Sequence, residues 1–264
     1  MGCTSLFAAG RVRATIEGDG PPLVLLHSLL SDSGSFELIR APLAKHHRVI
    51  IPDLPGFGGS ELVSGGLAAV ADRMAQAVRE AAGKERPVIL GNGYGGFIAL
   101  QMTIRHPDIA DRLVLADSGA AFSEPGRAAF RAMASVSAQK GLEAVADTAM
   151  RRLFSPEFQD NSRELMQERR AAFLRTDANV FRAACEALAE LDLRTKLKSV
   201  AIPVLVLVGE KDEATPPPMS EELATSLPKA RLMVLSGCAH VPQLQAPRQF
   251  LDALIPFLTQ TEIH

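Results

Sequence analysis

Pro87-Val88-Ile89-Leu90-Gly91-Asn92-Gly93-Tyr94-Gly95-Gly96 is the stretch whose reading decides the fold. A short apolar run enters a cluster of four glycines, and residues 97–105 continue in an apolar helical pattern. An uninterrupted apolar run of this length reads as a strand buried on both faces, here leading into a tight turn and then a helix. Gly93 stands at the apex of that turn and brings no side-chain oxygen to it. No Lys-Ser/Thr pair follows the glycines, so they do not read as a phosphate-binding loop.

The same pattern recurs outward from this segment. Apolar runs lie at 23–27, after Pro21-Pro22, and at 48–53, 113–116, 204–208 and 232–235. Each ends near Gly, Asp, Ser or His, as expected of strands buried on both faces. Residues 11–16 alternate weakly and read as an edge strand. Helical patterns occupy 67–82, 97–105, 220–227 and 248–258. Strands alternating with helices predict a mostly parallel sheet flanked by helices, an α/β fold. From 120 to 198 the strand pattern stops, and helix-forming sequence with balanced charge takes over. The economical division is a core of 1–119 and 199–264 carrying a helical cap, 120–198. Open α/β sheets bind ligands at the C-terminal ends of their strands, which places the cap as the roof of a pocket.

The totals narrow the functional classes. The chain has 264 residues, 47% hydrophobic, with a formal net charge of −2. That charge gives no electrostatic reason to expect nucleic acid or an anionic membrane as partner. No run of 18 apolar residues exists to span a bilayer. The N-terminus shows no basic start or long apolar region, so no secretory signal is read there. Cys3, Cys185 and Cys238 are scattered and suit a reducing compartment, making cytoplasm the expected location. A small-molecule substrate is the expected partner. No cofactor is implied, and the sequence does not specify an oligomeric state.

Three strand ends gather chemistry: the turn at Gly93, Gly209-Glu210-Lys211-Asp212 after the run 204–208, and Ser236-Gly237-Cys238-Ala239-His240 after 232–235. The strand–turn–helix context at Gly91 to Gly95 is that of the G-x-S-x-G nucleophile elbow, with glycine where the serine belongs. The chain order nucleophile, acid, histidine is also that of the α/β-hydrolase triad, here reading Gly93, Asp212, His240. At these residues the chain resembles the α/β-hydrolase family. Four more segments carry the resemblance: Val24-Leu25-Leu26-His27-Ser28-Leu29, Pro52-Asp53-Leu54-Pro55-Gly56-Phe57-Gly58-Gly59-Ser60, Arg105-His106-Pro107 with Arg112-Leu113-Val114-Leu115, and His240-Val241-Pro242-Gln243. Within the family the chain is most similar to 3-oxoadipate enol-lactonase-like and carbon–carbon bond hydrolases with a helical cap. The family usually has His-Gly where this chain has His27-Ser28, and enol-lactonases resemble it there.

The resemblance implies hydrolysis of a small ester, lactone or vinylogous ketone. It implies oxyanion-hole amides at Leu29 and Tyr94, and substrate contacts at Ser28, Leu29 and Tyr94. An elbow residue sits in a strained, positive-φ conformation that glycine enters freely. Gly93 therefore preserves the turn while removing the nucleophile. An Asp212–His240 dyad remains as a general base, and the room left by the missing hydroxymethyl group is expected to admit a water. Three readings follow: a serine hydrolase inactivated at position 93; an enzyme whose His–Asp pair performs hydrolysis or lyase-type cleavage without a covalent intermediate; and a pseudoenzyme binding a small apolar ligand beneath the cap.

Other residues have milder readings. Asp117, after 113–116, competes with Asp212 for the acid role. His27 braces the oxyanion loop. His46-His47 has no partner at metal-ligand spacing. Gly56, Gly58 and Gly59 are turn glycines lacking dinucleotide-loop spacing. Cys238 is a packing residue. Arg151-Arg152 reads first as a solvated helix face, and second as a site for a substrate carboxylate.

Overall fold

The structure, a computed structural model, describes residues 2–259. The elements run β1 (Cys3–Phe7), β2 (Val12–Glu17), β3 (Pro22–Leu26), α1 (Glu37–Ala44), β4 (Arg48–Pro52), α2 (Gly66–Ala82), β5 (Val88–Asn92), α3 (Tyr94–Arg105) and β6 (Arg112–Ala116). Five helices follow: α4 (Glu124–Lys140), α5 (Glu143–Leu153), α6 (Pro156–Asn161), α7 (Arg163–Leu174) and α8 (Ala178–Glu190). The chain then returns to β7 (Val204–Gly209), α9 (Pro217–Ser226), β8 (Ala230–Leu235), α10 (Pro242–Gln245) and α11 (Pro247–Leu258).

The eight strands form one sheet in the order β1-β2-β4-β3-β5-β6-β7-β8. The β1–β2 and β2–β4 pairs are antiparallel and every later pair is parallel. Successive side chains of a strand point to opposite faces, so β3 sends Val24 and Leu26 into one apolar cluster and Leu23 and Leu25 into the other. The first cluster packs beneath α2, α3 and the inserted helices, the second beneath α1 and α11. This two-sided burial is why the central strands read as unbroken apolar runs.

Two expectations are corrected. Residues 11–16 do not form the sheet edge, because β1 pairs outside β2 through Cys3↔Ile16 to Phe7↔Val12. The run 232–235 is not buried on both faces, because β8 is the opposite edge and leaves Met233 and Val234 exposed.

The helices α4–α8 fill the interval between β6 and β7, with α4 packed along α8. A bridge between Ala121 and Asp192 closes the base of this excursion, and Arg127 ties it further by donating to the carbonyls of Phe122, Ala189 and Leu191. Contacts from the excursion reach the site loops. Buried Arg169 pairs with Asp32 at 2.9 Å, and the Val241 amide donates to the Leu153 carbonyl at 3.1 Å.

Candidate active site

The turn after β5 is tightly determined. Gly93 has φ 53° and ψ −118°, a region in which a side chain costs roughly 1–3 kcal/mol. A Cβ on Gly91 would run into the Gly95 backbone, and one on Gly95 into the Leu26 carbonyl. The flanking glycines thus let the turn lie against the end of β3. The Gly93 amide donates to the Ala116 carbonyl at 2.9 Å, holding the turn to β6.

His240 and Asp212, 28 residues apart in the chain, meet beside this turn. His240 Nδ1 lies 2.9 Å from Asp212 Oδ2. Both side chains are almost wholly buried. Asp212 Oδ1 accepts from the amides of Ala214 at 2.8 Å and Thr215 at 3.1 Å, while Oδ2 accepts from Thr215 Oγ1 at 2.7 Å. Burial pushes the Asp212 carboxyl up, but the facing imidazole and the Thr215 donors outweigh it and hold the group below its ordinary value. A carboxylate only accepts, so His240 Nδ1 carries the proton toward Asp212 and Nε2 is left as an acceptor. That acceptor faces Gly93: a Cβ built there would fall 2.7 Å from it.

Behind the imidazole, Asn92 Nδ2 donates to the His240 carbonyl at 2.9 Å, and Gln243 Nε2 donates to Asn92 Oδ1 at 3.1 Å. These contacts fix the histidine's backbone as Asp212 fixes its ring. Thr215, Asn92 and Gln243 were not anticipated from sequence. Thr215 alone left a signal, since an Asp followed by donors two and three residues on forms an Asx turn.

Asp117 does not contact His240. Its Oδ1 accepts from the Gly209 amide at 2.8 Å, while Asn92 Nδ2 donates to its Oδ2 at 3.4 Å. Complete burial, and then the neighbouring Asp212 charge, push its carboxyl well above the ordinary value, which favours the neutral acid. The linkage has a definite sign. Below the unfolded value near 3.8 the group is protonated in both states and costs nothing. As pH rises past that value only the unfolded chain ionises, and folding stability falls. Asp117→Asn is accordingly expected to raise the melting temperature at pH 8 more than at pH 4; thermal scans showing a loss at pH 8 would contradict this.

A narrow cavity opens above the dyad. Ser28, Leu29, Gly93, Tyr94, Thr215 and His240 form its floor, and Phe97, Phe122, Phe130, Met133 and Leu188 its walls, with Arg152 contributing the charged side chain of the lining. The expected substrate contacts Ser28, Leu29 and Tyr94 thus all face one space. Tyr94 is the first residue of α3, where an amide has no acceptor in the helix behind it. Arg151 is exposed and bonded to Thr148, so the pair divides between solvent and cavity. His27 acts as a brace. It is fully buried and held neutral, with Nδ1 donating to the Ser28 carbonyl at 2.9 Å and Nε2 accepting the Leu54 amide at 3.3 Å. Burial pushes the Cys238 thiol up to about 11, and Sγ faces Gln249 rather than a base.

The expected water slot at position 93 is not there. Ser28 Oγ and His240 Nε2 occupy it, 2.5 Å and 2.7 Å from where a Cβ would lie, and the two atoms are 3.2 Å apart. Among the described residues no group of three or more His, Cys, Asp or Glu is arranged to hold a metal ion.

A mostly parallel sheet carrying an acid after β7, a histidine after β8 and a tight turn after β5 defines a class, and the chain belongs to it: residues 21–247 match the alpha/beta hydrolase fold family. Its particular likenesses are to esterases and lactonases. It is 29% identical over 252 residues to the pimeloyl-(acyl-carrier protein) methyl ester esterase of Vibrio vulnificus (strain YJ016), covering 91% of this chain and 95% of that protein. It is 29% identical over 164 residues to 3-oxoadipate enol-lactonase 2 of Acinetobacter baylyi, covering 62% of this chain and 60% of that one. Among solved structures, the enol-lactonase from Burkholderia xenovorans LB400 superposes with a TM-score of 0.88 at 25% identity, covering 98% of this chain and 100% of the other.

Proposed function

We propose that this protein hydrolyses a small ester or lactone bearing a carboxylate, using His240 as general base oriented by Asp212, with position 93 contributing no nucleophile. The observation that carries the reading is the 2.9 Å His240–Asp212 contact, which leaves the other imidazole nitrogen as an acceptor at the cavity floor. A base held in one tautomer, with its other nitrogen open as an acceptor, is what proton abstraction from an attacking hydroxyl requires. The amides of Leu29 and Tyr94, at the loop after β3 and the start of α3, are the donors offered to a developing oxyanion. The names of the relatives, ester and lactone hydrolases, support the same reaction class.

Arg152 supplies the specificity. It lines this mostly apolar space and also the neighbouring groove beside Glu210 and Glu213. A guanidinium in that setting favours a substrate carboxylate through charge-assisted bonds of about 1.5–3 kcal/mol. Arg152→Ala is expected to raise KM for carboxylated esters about 10- to 100-fold, with little change for neutral esters of the same size. Steady-state kinetics on such a matched pair decide the matter: equal effects on both would remove the carboxylate from the proposal, and no turnover of any small ester or lactone would remove the reaction. A cytoplasmic setting belongs to the same reading, supported by three cysteines that remain free thiols.

A further inference from the structure

We infer that Ser28 Oγ is the attacking oxygen of this site, a nucleophile carried on the loop after β3 in place of the one missing from the turn after β5. The inference rests on the His240–Asp212 reading and adds to it the group that His240 deprotonates.

Ser28 Oγ lies 3.2 Å from His240 Nε2. Because Nδ1–H is committed to Asp212, Nε2 accepts, and the Ser28 hydroxyl donates to it. That is the direction a nucleophile needs toward its base. The three groups Ser28, His240 and Asp212 thus form a hydroxyl–imidazole–carboxylate chain at 3.2 Å and 2.9 Å.

The loop is built to hold the hydroxyl there. The Ser28 carbonyl accepts from His27 Nδ1 at 2.9 Å and from the Ser31 amide at 3.3 Å. His27 is itself anchored through its far nitrogen to the Leu54 amide. Ser28 is buried within the protein yet lines the cavity, so a bound carbonyl can reach it while bulk water is kept away.

Position 93 explains why the hydroxyl fits. A Cβ there would lie 2.5 Å from Ser28 Oγ and 3.0 Å from Ser28 Cβ. A serine side chain at 93 and the present Ser28 rotamer exclude each other. Glycine at the turn therefore leaves the Ser28 hydroxyl on the same imidazole that a side chain at position 93 would contest. Leu29 follows Ser28 in the chain just as Tyr94 follows position 93, and the Leu29 amide donates to no backbone carbonyl among the described residues.

In the step, Ser28 Oγ bonds to the substrate carbonyl carbon while its proton passes to His240 Nε2. The ester C–O bond then breaks, and that proton leaves with the alkoxide. A water attacks the Ser28 acyl carbon, gives its proton to Nε2, and the acid departs as the proton returns to Ser28 Oγ.

The test uses the full-length protein and diisopropyl fluorophosphate, which phosphorylates serines activated by a base, with the modified residue located by peptide mass mapping. The expected result is one added phosphoryl group on Ser28, absent from Ser28→Ala and from His240→Ala. Turnover of p-nitrophenyl acetate is expected to fall at least ~10³-fold in Ser28→Ala. An unmodified Ser28 overturns the inference, as does a Ser28→Ala form that keeps more than a tenth of the turnover. Turnover that survives Ser28→Ala but collapses in His240→Ala retires Ser28 and leaves the dyad reading standing. Turnover indifferent to His240→Ala retires the dyad reading, wherever the label lies.

Discussion

Asp212→Asn is expected to lower kcat about 10⁴-fold, the size of effect seen when a triad carboxylate is replaced by its amide. The reason lies in the donors around that carboxylate. Oδ1 takes two backbone amides and Oδ2 takes Thr215 Oγ1 as well as His240 Nδ1. An asparagine keeps its oxygen on the amides and turns its NH2 toward the imidazole. His240 must then accept at Nδ1 and carry its proton on Nε2, the wrong tautomer for taking a proton at the cavity floor. Asp117→Asn is the control. Its side chain is the same size and buried nearby, but it reaches Gly209 and Asn92 rather than His240. Because its burial favours the neutral acid, an amide of the same shape is a close substitute, and kcat is expected to stay within a few-fold. Kinetics of the two variants with one ester separate the roles, and similar losses in both would mean that the two carboxyls share the work.

Gly93→Ser is expected to lower the melting temperature by roughly 3–10 °C, a surprising cost for restoring the residue that completes an elbow motif. Backbone strain at φ 53° contributes roughly 1–3 kcal/mol. Each kcal/mol is worth about 2–4 °C in a domain of this size. The new Cβ also falls 2.5 Å from Ser28 Oγ and 2.7 Å from His240 Nε2, so Ser28 must change rotamer and the imidazole must give way. Adding Ser28→Gly removes the first collision, and the double variant is expected to recover part of the loss in a thermal melt. It should also move phosphorylation by diisopropyl fluorophosphate to position 93. A single variant as stable as the starting protein would show that the turn carries neither strain nor crowding.

The parts of the fold that sequence made legible are those buried on both faces. The strands β3 to β7 each show a continuous apolar run because neither face meets water. The edges were harder. β1 is largely exposed and of mixed polarity, so Cys3–Phe7 gave no signal, and its absence made β2 look like the edge. α1 is short and contains Pro42, which masks a helical pattern. In the site, Asp212 and His240 were readable because each follows a strand at a motif-bearing turn. What could not be read was a contact between segments 212 residues apart. Ser28 was expected to touch substrate and position 93 to leave room for water, yet the hydroxyl of the one fills the room left by the other. Likewise, nothing local marks the Asp117 carboxyl as raised, because that follows from its complete burial and then from Asp212 lying beside it in the fold.

The measurement that bears most directly on the whole account is the turnover of a carboxylated p-nitrophenyl ester by the native protein and by His240→Ala, both read at saturating substrate and at a temperature where each is folded. A base that takes the proton in the transition state predicts a fall of about 10²–10⁴-fold in kcat. Equal rates in the two proteins would contradict it, leaving the His240–Asp212 pair a structural contact inside an α/β-hydrolase fold.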